Sequence, residues 1–189
     1  MSDSRPPRKR PRKVSSKSLE AAALHYLERF ASSAENLRRV LMRRVAKSAR
    51  VHDIDPEEAA RWIDEIVERF ARSGLLDDRR YAESLAHSLS RRGVAMRGIR
   101  ARLMQKGVAS DEIDSAITAL TEETGDADLA AALALIRRRR IGPHRDPDAR
   151  AAYRDKDLAA LARAGFSYDL ARRVIEADDA EALAADQTR

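Results

Sequence analysis

A pattern that comes back along the chain limits its fold more than any other feature. Leu37-Arg38-x-x-Leu41-Met42-x-Arg44 reappears 62 residues later as Ile99-Arg100-x-x-Leu103-Met104-x-Lys106, with the character of each named position kept. Gly107-Val108-Ala109-Ser110-Asp111, followed by Ala116-Ile117, reappears 58 residues later as Gly165-Phe166-Ser167-Tyr168-Asp169, followed by Val174-Ile175. Self-similarity of this kind means that one supersecondary unit is used several times. A unit of about 50–60 residues buries too little of its surface to be robust alone. Copies in series share their apolar faces instead.

The apolar spacing inside each copy is helical. In the first copy Leu19, Ala23, Leu27 and Phe30 form one helix face, and Ala34, Leu37 and Leu41 a second. Ser32 is the expected cap of that second helix, with Glu35 completing a capping box. Asp55-Pro56-Glu57-Glu58 starts a third helix: a capping aspartate, proline at the first helical position and acids in the first turn. Ala59, Ile63, Ile66 and Phe70 point inward from it, beside Trp62, which is read as core, and Gly74 ends it. In the second copy the inner faces are Tyr81, Ala82, Leu85 and Leu89, then Met96, Ile99 and Leu103, then Ile113, Ala116, Ile117 and Leu120. In the third, Leu129, Leu133 and Ile136 line a first helix that begins near Asp126 and ends at Gly142-Pro143. A polar loop runs through Asp148, a second helix covers 149–164 and a third follows Ser167. No stretch alternates with the strand period. The expected fold is all-α, with three tandem three-helix repeats over 18–75, 76–124 and 125–178. A disordered basic leader over 1–17 precedes them and a frayed tail over 179–189 follows.

The net charge of +6 says less than it first suggests. Seven basic residues and one acid in residues 1–17 account for all of it, so the body is formally neutral. A case for a polyanionic partner therefore rests on the leader or on how the body sorts its charges. The sorting is strong. Residues 79–106 hold eight basic residues, Arg91, Arg92, Arg97 and Arg100 among them, and one acid. Residues 111–128 hold seven acids and no base, and a run of Arg137, Arg138, Arg139 and Arg140 follows. Basic and acidic helices can complement each other inside the molecule, or the basic ones can face a polyanion or an acidic partner. Helical phase puts Arg97, Ala101 and Met104 on the outer face of their helix, with Arg100 and Arg102 on its flanks. Arginine pairs with carboxylate or phosphate, and methionine adapts its shape to a contact.

Chemistry is harder to place. There is no cysteine, which excludes disulfides and fits a reducing cytoplasm. No apolar run is long enough to span a bilayer. His25, His52, His87 and His144 are scattered, with no i, i+4 pair for a helical zinc site. Gly98 and Gly107 are isolated, without the lysine and serine or threonine of a phosphate loop. Asp77-Asp78 opens a helix, where acids are expected. The expectation is a cytoplasmic, monomeric binding protein with no catalytic residue, metal or cofactor.

The middle copy resembles the RecX family, bacterial regulators of the RecA recombinase. The matching residues are Leu76-Asp77-Asp78-x-Arg80-Tyr81-Ala82, then Gly93, Ile99, Leu103 and Lys106-Gly107-Val108. Ala23-Leu24-x-Tyr26-Leu27 and Arg29-x-x-Ser32 extend the likeness into the first copy, and Gly165-Phe166-Ser167 into the third. Phe30 stands where the family often has proline. The first copy has Val45-Ala46-Lys47 in place of a glycine stop, so its turn is longer. The resemblance implies an elongated, curved array that lies in the groove of RecA–DNA filaments. It further implies inhibition of ATP hydrolysis, strand exchange and co-protease activity, favouring disassembly, with no catalysis of its own. DNA, single- or double-stranded, is an expected weaker partner, held partly by the leader. The alternative is a nucleic-acid-binding helical array with no recombinase partner.

Overall fold

The computed structural model describes residues 11–180 and residue 183. Among them are nine α-helices, one 3-10 turn and no strand. In chain order the helices are α1 (Ser16–Leu27), α2 (Ala34–Ala49), α3 (Pro56–Arg72), α4 (Asp78–Arg91), α5 (Met96–Gln105), α6 (Ser110–Thr124), α7 (Ala127–Arg139), α8 (Pro147–Ala164) and α9 (Tyr168–Ile175). The 3-10 turn, Gly142–His144, lies between α7 and α8. No described helix is long and apolar enough to cross a membrane. The helices form two compact units, divided between Asp77 and Asp78. The first holds α1–α3. The second holds both later triplets.

The repeated pattern has a structural meaning. Leu37 and Leu41 of α2 are at most 1% exposed, and Ile99 and Leu103 of α5 are fully buried. The arginine that follows Leu37 or Ile99 does the same work in both copies. Arg38 of α2 pairs with Asp64 of α3 at 2.9 Å, and Arg100 of α5 pairs with Asp114 of α6. Part of the charge sorting is therefore internal complementarity between neighbouring helices. In the third copy the position equivalent to Leu37 and Ile99 is Asp157, which is only 3% exposed. Its Oδ2 accepts the Gly142 amide at 3.0 Å and Arg145 Nε at 3.1 Å, and its Oδ1 accepts Arg145 Nη2 at 2.8 Å. The Arg145 guanidinium also lies over the Tyr153 ring, 4.3 Å from its centroid. The last repeat thus replaces an apolar core contact with a polar clamp on the α7–α8 connection.

Several expectations are corrected. The first helix begins at Ser16, not Ser18, because Ser15 and Ser18 form a capping box. The expected leader divides: residues 1–10 lie outside the described residues, whereas 11–15 dock on α2. Val14 is buried, Ser48 Oγ donates to the Arg12 carbonyl at 2.9 Å, and His52 Nε2 sits 2.8 Å from the Pro11 carbonyl. The cap of α2 is Ser33, which accepts the Asn36 amide, while Ser32 is buried and accepts Asn36 Nδ2 at 2.8 Å. Phe30 is not core. It follows the end of α1, is 50% exposed and stacks obliquely on Tyr26. Trp62 is half-buried against the core of its unit. The helix α7 stops at Arg139, before Gly142-Pro143, because Arg140 takes a left-handed conformation with φ 52°. Asp146 caps α8, so that helix starts at Pro147. In the expected tail Ala180 is buried and Leu183 packs against the same core; residues 181, 182 and 184–189 lie outside the described residues.

The docked N-terminal segment makes a direct prediction. Ser48 is 1% exposed and holds residues 11–14 through two hydrogen bonds, the second accepted from the Val14 amide at 3.3 Å. Ser48→Ala removes both. A net loss of about 1 kcal/mol is expected to speed hydrogen exchange at the Val14 amide by about fivefold, with the α3 core amides unchanged. Unchanged exchange at Val14 would mean that the apolar contact alone holds the segment.

Candidate interface: an arginine-lined groove

The second unit brings together side chains that are far apart in sequence. The turn after α4, the outer face of α5, the end of α7 and the end of α8 enclose a groove of about 660 Å³. Its rim carries six arginines, Arg92, Arg97, Arg102, Arg138, Arg139 and Arg163, and its lining contains no acidic residue. The floor is small: Gly93, Gly98, Ala101, Ala160, Ala164 and Gly165, with Val94 and Leu135 the largest apolar side chains. Among the described residues none of the six arginines forms an ion pair.

Local chemistry explains how the groove forms. Gly93 turns the chain out of α4 with φ 74°, and its α-carbon lies so close to α7 that a Cβ would fall 2.5 Å from Leu135 Cβ. The helix α5 has no side-chain cap of its own, since its N-cap is Ala95. Asp128 on α7 supplies one, accepting the Met96 amide at 2.7 Å. This carboxylate both satisfies an orphan helix donor and complements the positive end of α5. It locks α5 beside α7 across 32 residues of sequence. At Gly98 a Cβ would meet Val94 Cγ1, just before α5, at 2.9 Å, while the Ala164 carbonyl oxygen of α8 would lie 4.0 Å away, at ordinary contact distance.

Three of the enclosing helices, α4, α7 and α8, end at the groove. Their C-termini favour cations, which is a structural reason for arginine at these positions. The magnitudes show that it is not sufficient. Each helix end carries about half a negative charge, so three offset roughly one and a half of six full positive charges.

The groove sorts the residues expected from sequence. Arg92, Arg97, Arg138 and Arg139 line it. Arg91, Arg137 and Arg140 are exposed but outside the lining. Arg100 points to α6 and Asp114. Met104 is 63% exposed and also lies outside the lining. Two arginines were not among the expected contacts. Arg102 shares a helix face with Arg97, Gly98 and Ala101, so helical phase could have found it. Arg163 sits on α8, 61 residues beyond Arg102, and no local signal joins it to the others. Of the remaining motif residues, Ala82, Ile99, Leu103 and Phe166 are core, while Tyr81 packs beside it. Asp78 opens α4, with Asp77 just before it and Arg80 exposed on its first turn. Lys106 closes α5, and Gly107 and Gly165 take positive φ after α5 and α8.

Among the described residues no group of three or more His, Cys, Asp or Glu could hold a metal ion. Two other arginines have pKa values raised above the ordinary value. Arg145 is raised chiefly by its hydrogen bond to Asp157, and Arg154 chiefly by its hydrogen bond to Glu176 on the following segment.

The family model described as RecX, second three-helix domain, matches residues 77–117. The Regulatory protein RecX of Myxococcus xanthus is 44% identical over 173 residues, covering 91% of this chain and 91% of that protein. That of Agrobacterium fabrum is 32% identical over 162 residues, covering 85% of this chain and 83% of that one. The crystal structure of RecX from Lactobacillus salivarius shares the fold, with a TM-score of 0.56 at 20% identity over 85% of this chain and 94% of that chain.

Proposed function

The chain belongs to the RecX family of regulatory proteins, and from that premise we propose that it regulates a RecA-type recombinase by binding its filament on DNA. Binding lowers ATP hydrolysis, strand exchange and co-protease activity and favours disassembly, without catalysis by this chain. The observation that carries the reading to particular residues is the groove: six arginines, no acid, and a floor without bulky side chains. A filament of protein on nucleic acid presents both carboxylates and phosphates, and unpaired guanidinium groups bind either.

The test is titration into a recombinase ATPase assay on single-stranded DNA. Inhibition is expected at concentrations comparable to the recombinase. Arg97→Glu with Arg138→Glu reverses two charges in the groove, and reversal at a complementary interface costs several kcal/mol. Inhibition is expected to weaken by about tenfold or more, which corresponds to about 1.4 kcal/mol. The melting temperature should hardly change, because both side chains are exposed. No inhibition by the parent would overturn the recombinase reading. Full inhibition by the folded double variant would move the contact away from this groove. Arg100 is a poor choice for the same test, since its replacement also breaks the pair with Asp114.

A further inference from the structure

We propose that the arginine groove is a site for a run of linked phosphates, which it holds by charge and shape without reading bases. The proposal deepens the groove's part in the reading above, and its test contains no recombinase.

Four observations point to phosphate rather than to an acidic protein segment. First, the charge is concentrated: six arginines line a groove of about 660 Å³, and none has a carboxylate partner among the described residues. Linked phosphates supply a charge at each link together with acceptor oxygens that suit the planar fork of arginine. Second, all six are arginine and none is lysine. Arginine is favoured where an oxyanion is gripped by two parallel hydrogen bonds. Third, the lining offers no anchor pocket. A docked protein segment takes most of its affinity from a few large side chains in fitted pockets, and here the floor is glycine and alanine with Val94 and Leu135. Fourth, the lining has no aromatic side chain. Base stacking is therefore absent, and binding is expected to ignore sequence and to depend steeply on salt.

The charge left over after the helix ends are counted belongs to the free protein, so an occupant relieves repulsion as well as adding contacts. Asp128 is the acid held beside this region, but it lies outside the lining and is engaged by the Met96 amide.

A nucleic-acid backbone and a free oligophosphate offer the same chemistry, and two arms separate them. In the first, binding of a fluorescent 20-nucleotide oligothymidylate to the full-length protein is followed by anisotropy over a range of salt. The groove variant carries Arg97→Gln, Arg138→Gln and Arg163→Gln. A control of equal net charge carries Arg43→Gln, Arg61→Gln and Arg172→Gln, all exposed and outside the groove. The groove variant is expected to bind at least tenfold more weakly at low salt, and its log–log salt slope to flatten by about 2, at roughly 0.7 per phosphate contact on a single strand. The control is expected to lose threefold or less. In the second arm, tripolyphosphate is added to each protein during thermal unfolding. It is expected to raise the melting temperature of the parent and the control but not of the groove variant, because a ligand stabilises only the state that binds it.

Stabilisation by tripolyphosphate with no groove-dependent oligonucleotide binding would support the site and assign it to a free oligophosphate. Equal losses in the two triple variants, with no groove-dependent stabilisation, would show that net charge alone is at work and overturn the proposal. So would groove-dependent binding of polyglutamate with neither phosphate ligand bound. Circular dichroism of each variant checks folding, and the substitutions are on exposed side chains, where stability changes little.

Discussion

Gly93→Ala is expected to lower the stability of the second unit by about 3 kcal/mol or more, a large part of the 5–15 kcal/mol typical of a domain. Two costs add. Gly93 has φ 74°, where an L side chain costs about 1–2 kcal/mol. The new Cβ would also lie 2.5 Å from Leu135 Cβ, 2.8 Å from its Cα and 2.9 Å from its N. Two of those atoms are backbone, so rotamer changes cannot relieve the overlap, and overpacking of this kind costs about 1–3 kcal/mol more. Gly74→Ala is the matched comparison. Its φ is 73°, but nothing lies within 4 Å of a Cβ there, so only the backbone cost of about 1–2 kcal/mol should appear. Thermal or urea unfolding of both variants measures the difference. Equal losses would mean that α4 does not approach α7 as closely as described. Because the same approach closes one side of the arginine groove, Gly93→Ala should also weaken anion binding in whatever fraction remains folded.

The second large effect is expected at Asp157. Asp157→Ala leaves the buried Gly142 amide without its acceptor, at a cost of about 1–3 kcal/mol. It also frees Arg145 from two further hydrogen bonds and from its place over Tyr153. The expected loss is at least about 2 kcal/mol, with the connection between α7 and α8 opening first in hydrogen exchange. Asp157→Asn keeps one acceptor for Gly142 and should cost less. Asp157→Leu restores the residue character of Leu37 and Ile99, yet it should still destabilise, because the stranded amide and guanidinium remain. A stable Asp157→Leu variant would show that the clamp is dispensable. The pH dependence follows from the raised pKa of Arg145. A cation with a raised folded pKa contributes fully below its ordinary value and loses that contribution only as pH climbs through the raised one. Between pH 7 and 10 the arginine side of this clamp should therefore add no slope to the stability curve.

The repeat and the helical periods were legible in the sequence because they are local. Leu37 with Leu41, and Ile99 with Leu103, recur at helical spacing, and spacing decides which face is buried before any partner is known. The Asp55-Pro56 start of α3 and the Gly74 stop were legible for the same reason, since caps and left-handed turns act within four residues. Ends set by competition were less so. Ser32 and Ser33 are both good caps, and only the packing that buries Ser32 beside Asn36 leaves the role to Ser33. Phe30 had the right period for the core, but α1 stops at Leu27, so the helical phase no longer applies to it.

The sequence by itself thus determined an all-helical chain of three similar units, a family resemblance and a surplus of arginine on particular helices. Which arginines act together was decided only by the tertiary structure. Arg97 and Arg100 look equivalent in sequence, three residues apart on one helix. Asp114 neutralises the second, and the ends of α7 and α8 gather around the first. Two close approaches bring that about: Gly93 on Leu135 and Asp128 on the Met96 amide. Each spans more than 30 residues, and helical periodicity carries no information over that distance. A charge can be counted in a sequence, but whether it is paired depends on which backbone lies opposite it.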